Sequence, residues 1–143
     1  PLTGWGVASK DQSCTAYCSS KGAVCNVIRL NLPTSEEWLR TAVEDAAGKG
    51  TGWCWRIGYS SVHAYSPFVY RVTKQCMFLY TPNPSGTTST CDASPNANHD
   101  RICACDCQPG RHWDATTESC LPCRANTTTN TSGLVPYSSD AVC

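Results

Sequence analysis

The sequence has little of what marks several common protein classes. No apolar run in its 143 residues approaches the roughly 18 that a membrane-spanning helix needs. Lys plus Arg and Asp plus Glu number 11 each, so neither a basic face nor an acidic tail is expected. These absences argue against membrane insertion by this segment and against a nucleic-acid partner.

Motifs of catalysis and cofactor binding are also missing. The chain has no Gly-x-Ser-x-Gly elbow, no His-Glu-x-x-His helix and no glycine loop of the phosphate-binding kind. Its three histidines, His63, His99 and His112, lie far apart beside loop-like residues, and we expect them at the surface. The sequence therefore predicts a protein that is not an enzyme and that has no metal site and no cofactor.

Cysteine, by contrast, is abundant. The chain has 12 Cys, an even number in the range typical of a disulfide scaffold, and we expect six bridges. Because cytosolic thiols are kept reduced, this count predicts the secretory pathway and an extracellular or cell-surface location. Two N-glycosylation sequons, at Asn126 and Asn130, agree with that location. The chain starts at Pro1 without Met or a signal peptide, which predicts a piece of a longer precursor.

Cysteine spacing divides the chain into two predicted domains. Residues 1–106 hold eight widely spaced cysteines around segments with hydrophobic periodicity. Residues 107–143 hold four cysteines in sequence rich in Gly, Ser, Thr and Pro. Because no linker separates Asp106 from Cys107, we expect the two domains to be held in a fixed arrangement.

The first domain is predicted to be α+β, with two helices and a short antiparallel sheet, and the second to be loop-rich. Asp11 or Ser13 caps the first helix, and a capping box of Thr34 and Glu37 starts the second. The apolar stripe of the second helix consists of Trp38, Leu39, Ala42, Val43 and Ala46. The predicted strands cover residues 53–59, 68–73, 75–80 and 101–105.

The spacing of four cysteines favours a helix that is joined to a strand by two disulfides. Cys14 and Cys18 share one face of a helix, and Cys103 and Cys105 share one face of a strand at nearly the same separation. We therefore expect the first two to pair with the last two. The alternatives are a zinc cluster around residues 103–107 and a thioredoxin-like Cys120-x-x-Cys123. The separated ligand pairs of a zinc site and the preceding βαβ pattern of thioredoxin are both missing.

Residues 11–106 resemble the C-terminal cysteine-rich region of the N-acetylglucosaminyltransferase V family, whose members branch N-glycans. The motifs that carry the resemblance are QSCxxxC at 12–18, KQCMF at 74–78, TCDA at 90–93 and RICAC at 101–105. The resemblance implies the nested pairs Cys14–Cys103, Cys18–Cys105, Cys25–Cys91 and Cys54–Cys76. It does not imply catalysis, because the nucleotide-binding and acceptor-binding halves of such an enzyme need a much longer chain.

Residues 107–143 resemble the small ephrin-receptor-like and EGF-like repeats of extracellular adhesion or stalk proteins. The matching features are CQPG at 107–110, then Cys120-x-x-Cys123 and Cys143. The resemblance implies the local pairs Cys107–Cys120 and Cys123–Cys143. The acidic start of a calcium-binding EGF module is missing, so no calcium is expected.

An aromatic stretch is the candidate contact surface. It contains Trp53, Trp55, Tyr59, Tyr65 and Tyr70. If residues 53–55 form a strand, both indoles face one side and Cys54 the other, which would make a lectin-like or subunit-docking patch. The alternative is that these aromatics cover the disulfide and fill the core.

Taken together, these features predict a non-catalytic structural or interaction module of an extracellular, glycosylated cell-surface, adhesion or filament protein. Its expected partners are other protein modules or subunits, with glycans as a further class. The alternative function is a carbohydrate-binding domain, or an accessory domain of a glycan-modifying enzyme.

Overall fold

A computed structural model of the chain describes residues 3–60, 62–80 and 85–123. Its helices are short: α1 is Cys14–Ser20, α2 is Val27–Leu30 and α3 is Glu36–Arg40, which continues into a π-helical turn at Thr41–Ala46. The first five strands are β1 Trp5–Val7, β2 Ala23–Cys25, β3 Arg56–Ser60, β4 Phe68–Tyr70 and β5 Gln75–Leu79. The last three are β6 His99–Cys107, β7 Arg111–Asp114 and β8 Ser119–Pro122.

A six-stranded mixed sheet organises the molecule, and β6 is its central strand. The main path of the sheet is β1-β6-β4-β5-β3, with β2 also paired to β6. All of these pairs are antiparallel except β3 with β5, which is parallel. Seven of the nine residues of β6 are buried, as expected for a strand that is covered on both faces.

Two adjacent disulfides join α1 to β6. Cys14 bonds Cys103 and Cys18 bonds Cys105, with Cα atoms 5.3 and 5.4 Å apart. The Ser13 side chain caps the helix by accepting a hydrogen bond from the Ala16 amide. The i, i+4 spacing on the helix therefore matches the i, i+2 spacing on the strand.

Three further bridges lie within the described residues, and they are pairs that the two resemblances implied: Cys25–Cys91, Cys54–Cys76 and Cys107–Cys120. Cys123 is also disulfide-bonded. Its predicted partner Cys143 lies outside the described residues, as do the sequons at Asn126 and Asn130.

The second predicted helix differs from expectation at both ends. Ser35, not Thr34, is its N-cap, and the Ser35 hydroxyl accepts from the Trp38 amide. In the π-helical turn the Ala47 amide donates to the Ala42 carbonyl, 2.9 Å away, which adds one residue to that turn. The added residue shifts the apolar register, so that Ala47 is buried where the helical stripe predicted Ala46.

The described part of the second domain is a β7–β8 hairpin that packs on the first. Its Trp113 belongs to the main hydrophobic core. The Cys120 amide donates to the Lys21 carbonyl at 3.0 Å, and Lys49 pairs with Glu118 at 3.0 Å. Strand β6 itself continues through Cys107, the first residue of the predicted second domain.

The predicted architecture of two helices and a short antiparallel sheet is therefore wrong in its proportions. The chain is a small disulfide-rich fold made mostly of strands, with three short helices in its described part. Local periodicity did not indicate β1 and β2, because each has only three residues and is stabilised by pairing with the distant β6. No helix among the described residues is long and apolar enough to cross a membrane.

Candidate functional site

The five aromatic residues of the predicted contact surface separate into two groups. Trp55 and Tyr59 are 65% and 62% exposed, whereas Trp53 and Tyr70 are partly buried. Tyr65 is only 6% exposed and is not available as a surface contact, because its ring packs against Phe68 inside the fold. The two exposed side chains therefore define the candidate surface.

Trp55 and Tyr59 lie along the edge of the main sheet. Among the described residues, β3 pairs with β5 alone, so its other side has no strand neighbour. Tyr59 stands opposite Phe78 of β5, and its ring centroid is 5.0 Å from that of Tyr80. Tyr80, which is 41% exposed, was not among the predicted contacts. Alternation could not have indicated it, because Tyr80 lies two and four residues after Phe78 and the buried Cys76, which predicts a core-facing side chain.

Two cations cover the indoles at the start of this edge. The Arg56 guanidinium lies 5.4 Å from the Trp55 ring centroid, and the Lys74 ammonium lies 5.0 Å from that of Trp53. The Trp55 amide donates to the Lys74 carbonyl at 2.9 Å, which places the two pairs side by side. We call the set of six residues the β3 strip: Trp53, Trp55, Arg56, Tyr59, Lys74 and Tyr80.

A buried disulfide anchors the segment that carries the β3 strip. Cys54 and Cys76 are both buried, and they tie the segment before β3 to the start of β5. The Arg40 guanidinium also donates to the Cys54 carbonyl at 3.1 Å. Residues 53–55 are not a strand as predicted, since β3 begins only at Arg56. Their bend leaves Trp55 exposed while Trp53 packs against the core.

A second cluster gathers side chains with acid–base chemistry. The Tyr65 hydroxyl and His99 Nδ1 are 2.9 Å apart, and the His99 ring stacks on Phe68 at 4.7 Å. His63 stacks on Tyr65 at 4.7 Å and lies 6.2 Å from His99. His99 is 9% exposed, so its predicted surface position is wrong. Pairing of β6 with β4 places it against Tyr70, and no local sequence signal could indicate that contact.

The protonation of His99 follows from this enclosure. Burial lowers the pKa of the imidazole, and the neighbouring charges of His63 and Arg71 lower it further, against a smaller raising effect of Asp100. His99 is therefore held neutral and hydrogen-bonded to Tyr65. That arrangement is typical of a buried polar pair in a core.

The described residues contain no group of three or more His, Cys, Asp or Glu side chains placed to hold a metal ion. A shallow depression of about 350 Å³ lies beside α3 and is lined by Ser35, Glu37, Trp38 and Thr41. It has one aromatic side chain and no imidazole or thiol.

Comparison with known proteins identifies no relative. No protein-family model matches the chain, and no curated protein sequence matches it.

Proposed function

We propose that this chain is a non-catalytic structural or interaction module of an extracellular, glycosylated cell-surface, adhesion or filament protein. The β3 strip is its contact surface. Five disulfides in so small a fold are typical of proteins made in an oxidising compartment, and the sequons at Asn126 and Asn130 support the same location.

The exposure of Trp55 and Tyr59 is the observation that carries this proposal. Large aromatic side chains are usually buried for most of their surface, yet these two are both more than 60% exposed on a sheet edge. The Cys54–Cys76 bridge fixes the backbone beneath them. Rigid aromatics lose little conformational entropy on binding, which is why they are frequent in binding hot spots.

The test is Trp55→Ala in the full-length parent glycoprotein, with assembly or surface attachment as the readout. We expect binding to fall by about tenfold or more, since a hot-spot truncation costs about 2 kcal/mol. The thermal unfolding midpoint should stay unchanged because the side chain is exposed. Ile28→Ala is the matched control: Ile28 is 74% exposed on α2, which packs against β6. Equal binding by both variants and the natural protein would contradict the proposal.

A carbohydrate-binding role is the second candidate. Indole and phenol rings stack on the apolar faces of sugar rings, and Trp55, Tyr59 and Tyr80 present such rings to solvent. A sugar-soak or glycan-array measurement on the full chain separates this role from binding to protein modules alone.

A further inference from the structure

Charge is distributed unevenly around the β3 strip. Although the whole chain is neutral, residues 46–91 contain no Asp or Glu and four cations: Lys49, Arg56, Arg71 and Lys74. Lys49 pairs with Glu118, and Arg71 pairs with Asp100 at 2.8 Å. Arg56 and Lys74 have no carboxylate partner among the described residues. The two uncompensated cations of this segment are thus both in the strip.

Their placement over indole rings leaves both cations able to bind an anion. Stacking on an aromatic face holds the Arg56 guanidinium in position without using the N–H donors at its edge. Lys74 is held in the same way over Trp53. Side chains that are already positioned lose less entropy when a ligand binds.

The strip also has the shape of a site for an extended ligand. Trp55 directly precedes β3 and Tyr59 is the fourth residue of that strand, so the two rings occupy separate positions along the edge of the sheet. Both rings are more than half exposed, and the strip is open rather than enclosed. A single small molecule binds in a concave pocket, whereas an open row of rings contacts successive units of a polymer.

We propose that the β3 strip binds an anionic polysaccharide, whose sugar rings carry carboxylate or sulfate groups. This inference rests on the proposed function, because it takes the strip as the contact surface. The ring faces pack on Trp55, Tyr59 and Tyr80, and the acidic groups pair with Arg56 and Lys74. Arg56 and Lys74, which have no carboxylate partner among the described residues, supply the positive charge that complements an acidic polymer.

The experiment measures binding of the full chain to soluble polysaccharides by affinity electrophoresis and calorimetry. The acidic probes are polygalacturonate and a sulfated glycosaminoglycan, and the neutral probes are a mannan and a β-glucan. We expect binding to the acidic probes alone, weakening as salt rises because the contacts are ionic. The pair Arg56→Gln and Lys74→Gln should reduce affinity by about tenfold or more, and Trp55→Ala by a similar factor. Ile28→Ala should bind like the natural chain.

Four results would overturn the inference. If neutral and acidic probes bind alike and independently of salt, the strip stacks on sugar rings but does not recognise anions. Binding of acidic probes that the glutamine variants retain would place the site elsewhere. Failure to bind any polysaccharide, with Trp55→Ala still weakening assembly, would identify a protein partner and leave the proposed function standing. If Trp55→Ala affects neither binding nor assembly, both proposals fail. A circular dichroism spectrum and a melting curve for each variant exclude loss of fold as the cause.

Discussion

At the scale of the residue, Arg101 is the most unusual member of the core. It is fully buried on β6, and burial lowers its pKa to about 10. Its guanidinium donates to the carbonyls of Thr90 and Ala93 at 2.6 and 2.9 Å, and to the Ser89 hydroxyl at 3.2 Å. A buried cation thus ties the loop around Cys91 to β6 through hydrogen bonds to backbone carbonyls.

Arg101→Met tests this role. The apolar side chain would remove the hydrogen bonds that the guanidinium donates to this loop, and we expect the free energy of unfolding to fall by about 3 kcal/mol. Chemical denaturation with disulfides intact measures it. The control is Arg111→Met, since Arg111 is exposed and its guanidinium donates to the Cys120 carbonyl. Similar losses of stability in both variants would show that the buried hydrogen bonds of Arg101 contribute no more to the free energy of unfolding than those of an exposed arginine.

Tyr17 carries a buried polar group that is not hydrogen-bonded within the described residues. Its hydroxyl is buried without a hydrogen-bond partner among the described residues, and it fills the space where a β-carbon on Gly6 would lie. Burial, with the nearby Glu118 charge, raises the pKa of the phenol, so the group stays neutral.

We therefore expect Tyr17→Phe to raise the free energy of unfolding by about 1 kcal/mol, because it removes an unpaired buried oxygen and keeps the ring. Tyr59→Phe, at an exposed site, is the control and should change stability by less than about 0.5 kcal/mol. A loss of stability in Tyr17→Phe would mean that the hydroxyl has a partner in solution. Denaturant midpoints of the three proteins decide the question.

At the scale of the element, the β7–β8 hairpin is held on the first domain by packing as well as by the Cys107–Cys120 bridge. Trp113 is its anchor: it lies in the core cluster and is 8% exposed. The Lys49–Glu118 pair and the Cys120 amide flank this contact. The hairpin and the main sheet are therefore expected to unfold together.

Trp113→Ala should lower the free energy of unfolding by about 3–5 kcal/mol, as truncation of a buried Trp does. Calorimetry also reports whether one transition remains. Trp55→Ala serves as the comparison, and at its exposed site we expect a change within about 0.5 kcal/mol. A loss below about 1 kcal/mol for Trp113→Ala would show that the disulfide, and not packing, holds the hairpin on the first domain.

At the scale of the whole molecule, five disulfides cross-link the described residues, and we expect the stability of the fold to depend on pH through His99. The titratable and charged side chains around that ring are those of His63, Tyr65, Tyr70, Arg71 and Asp100. The folded state lowers the pKa of His99 below the value of about 6.5 in an unfolded chain, so the unfolded state binds the proton more readily. The stabilisation is complete above that pH and is lost as pH falls towards the folded pKa.

We expect the denaturation midpoint to fall between about pH 6.5 and pH 5 in the natural chain, and to fall less in His99→Gln, which cannot be protonated there. Denaturant titrations at each pH measure the difference. His112→Gln, altered in the hairpin, should keep the dependence of the natural chain. The same pH profile in His99→Gln would assign the acid sensitivity to another group.

Some features of the fold follow from the sequence because they depend on short-range geometry. Residues four apart share a helix face and residues two apart share a strand face, so spacing alone is enough to match Cys14 and Cys18 to Cys103 and Cys105. The aromatic stretch can be located from the sequence too, since composition alone marks it.

Only the tertiary structure decided which aromatic side chains are exposed to solvent. Tyr59 and Tyr65 lie in the same aromatic stretch of the sequence. Tyr59 is exposed on an edge strand, whereas Tyr65 is buried and hydrogen-bonded to His99. Parallel pairing of β3 with β5, which creates that edge, depends on long-range strand neighbours that no local pattern encodes. Cysteine spacing determined which cysteines join α1 to β6, because a disulfide needs only two adjacent faces. Sheet order determined the candidate surface, because exposure is a property of the assembled layers.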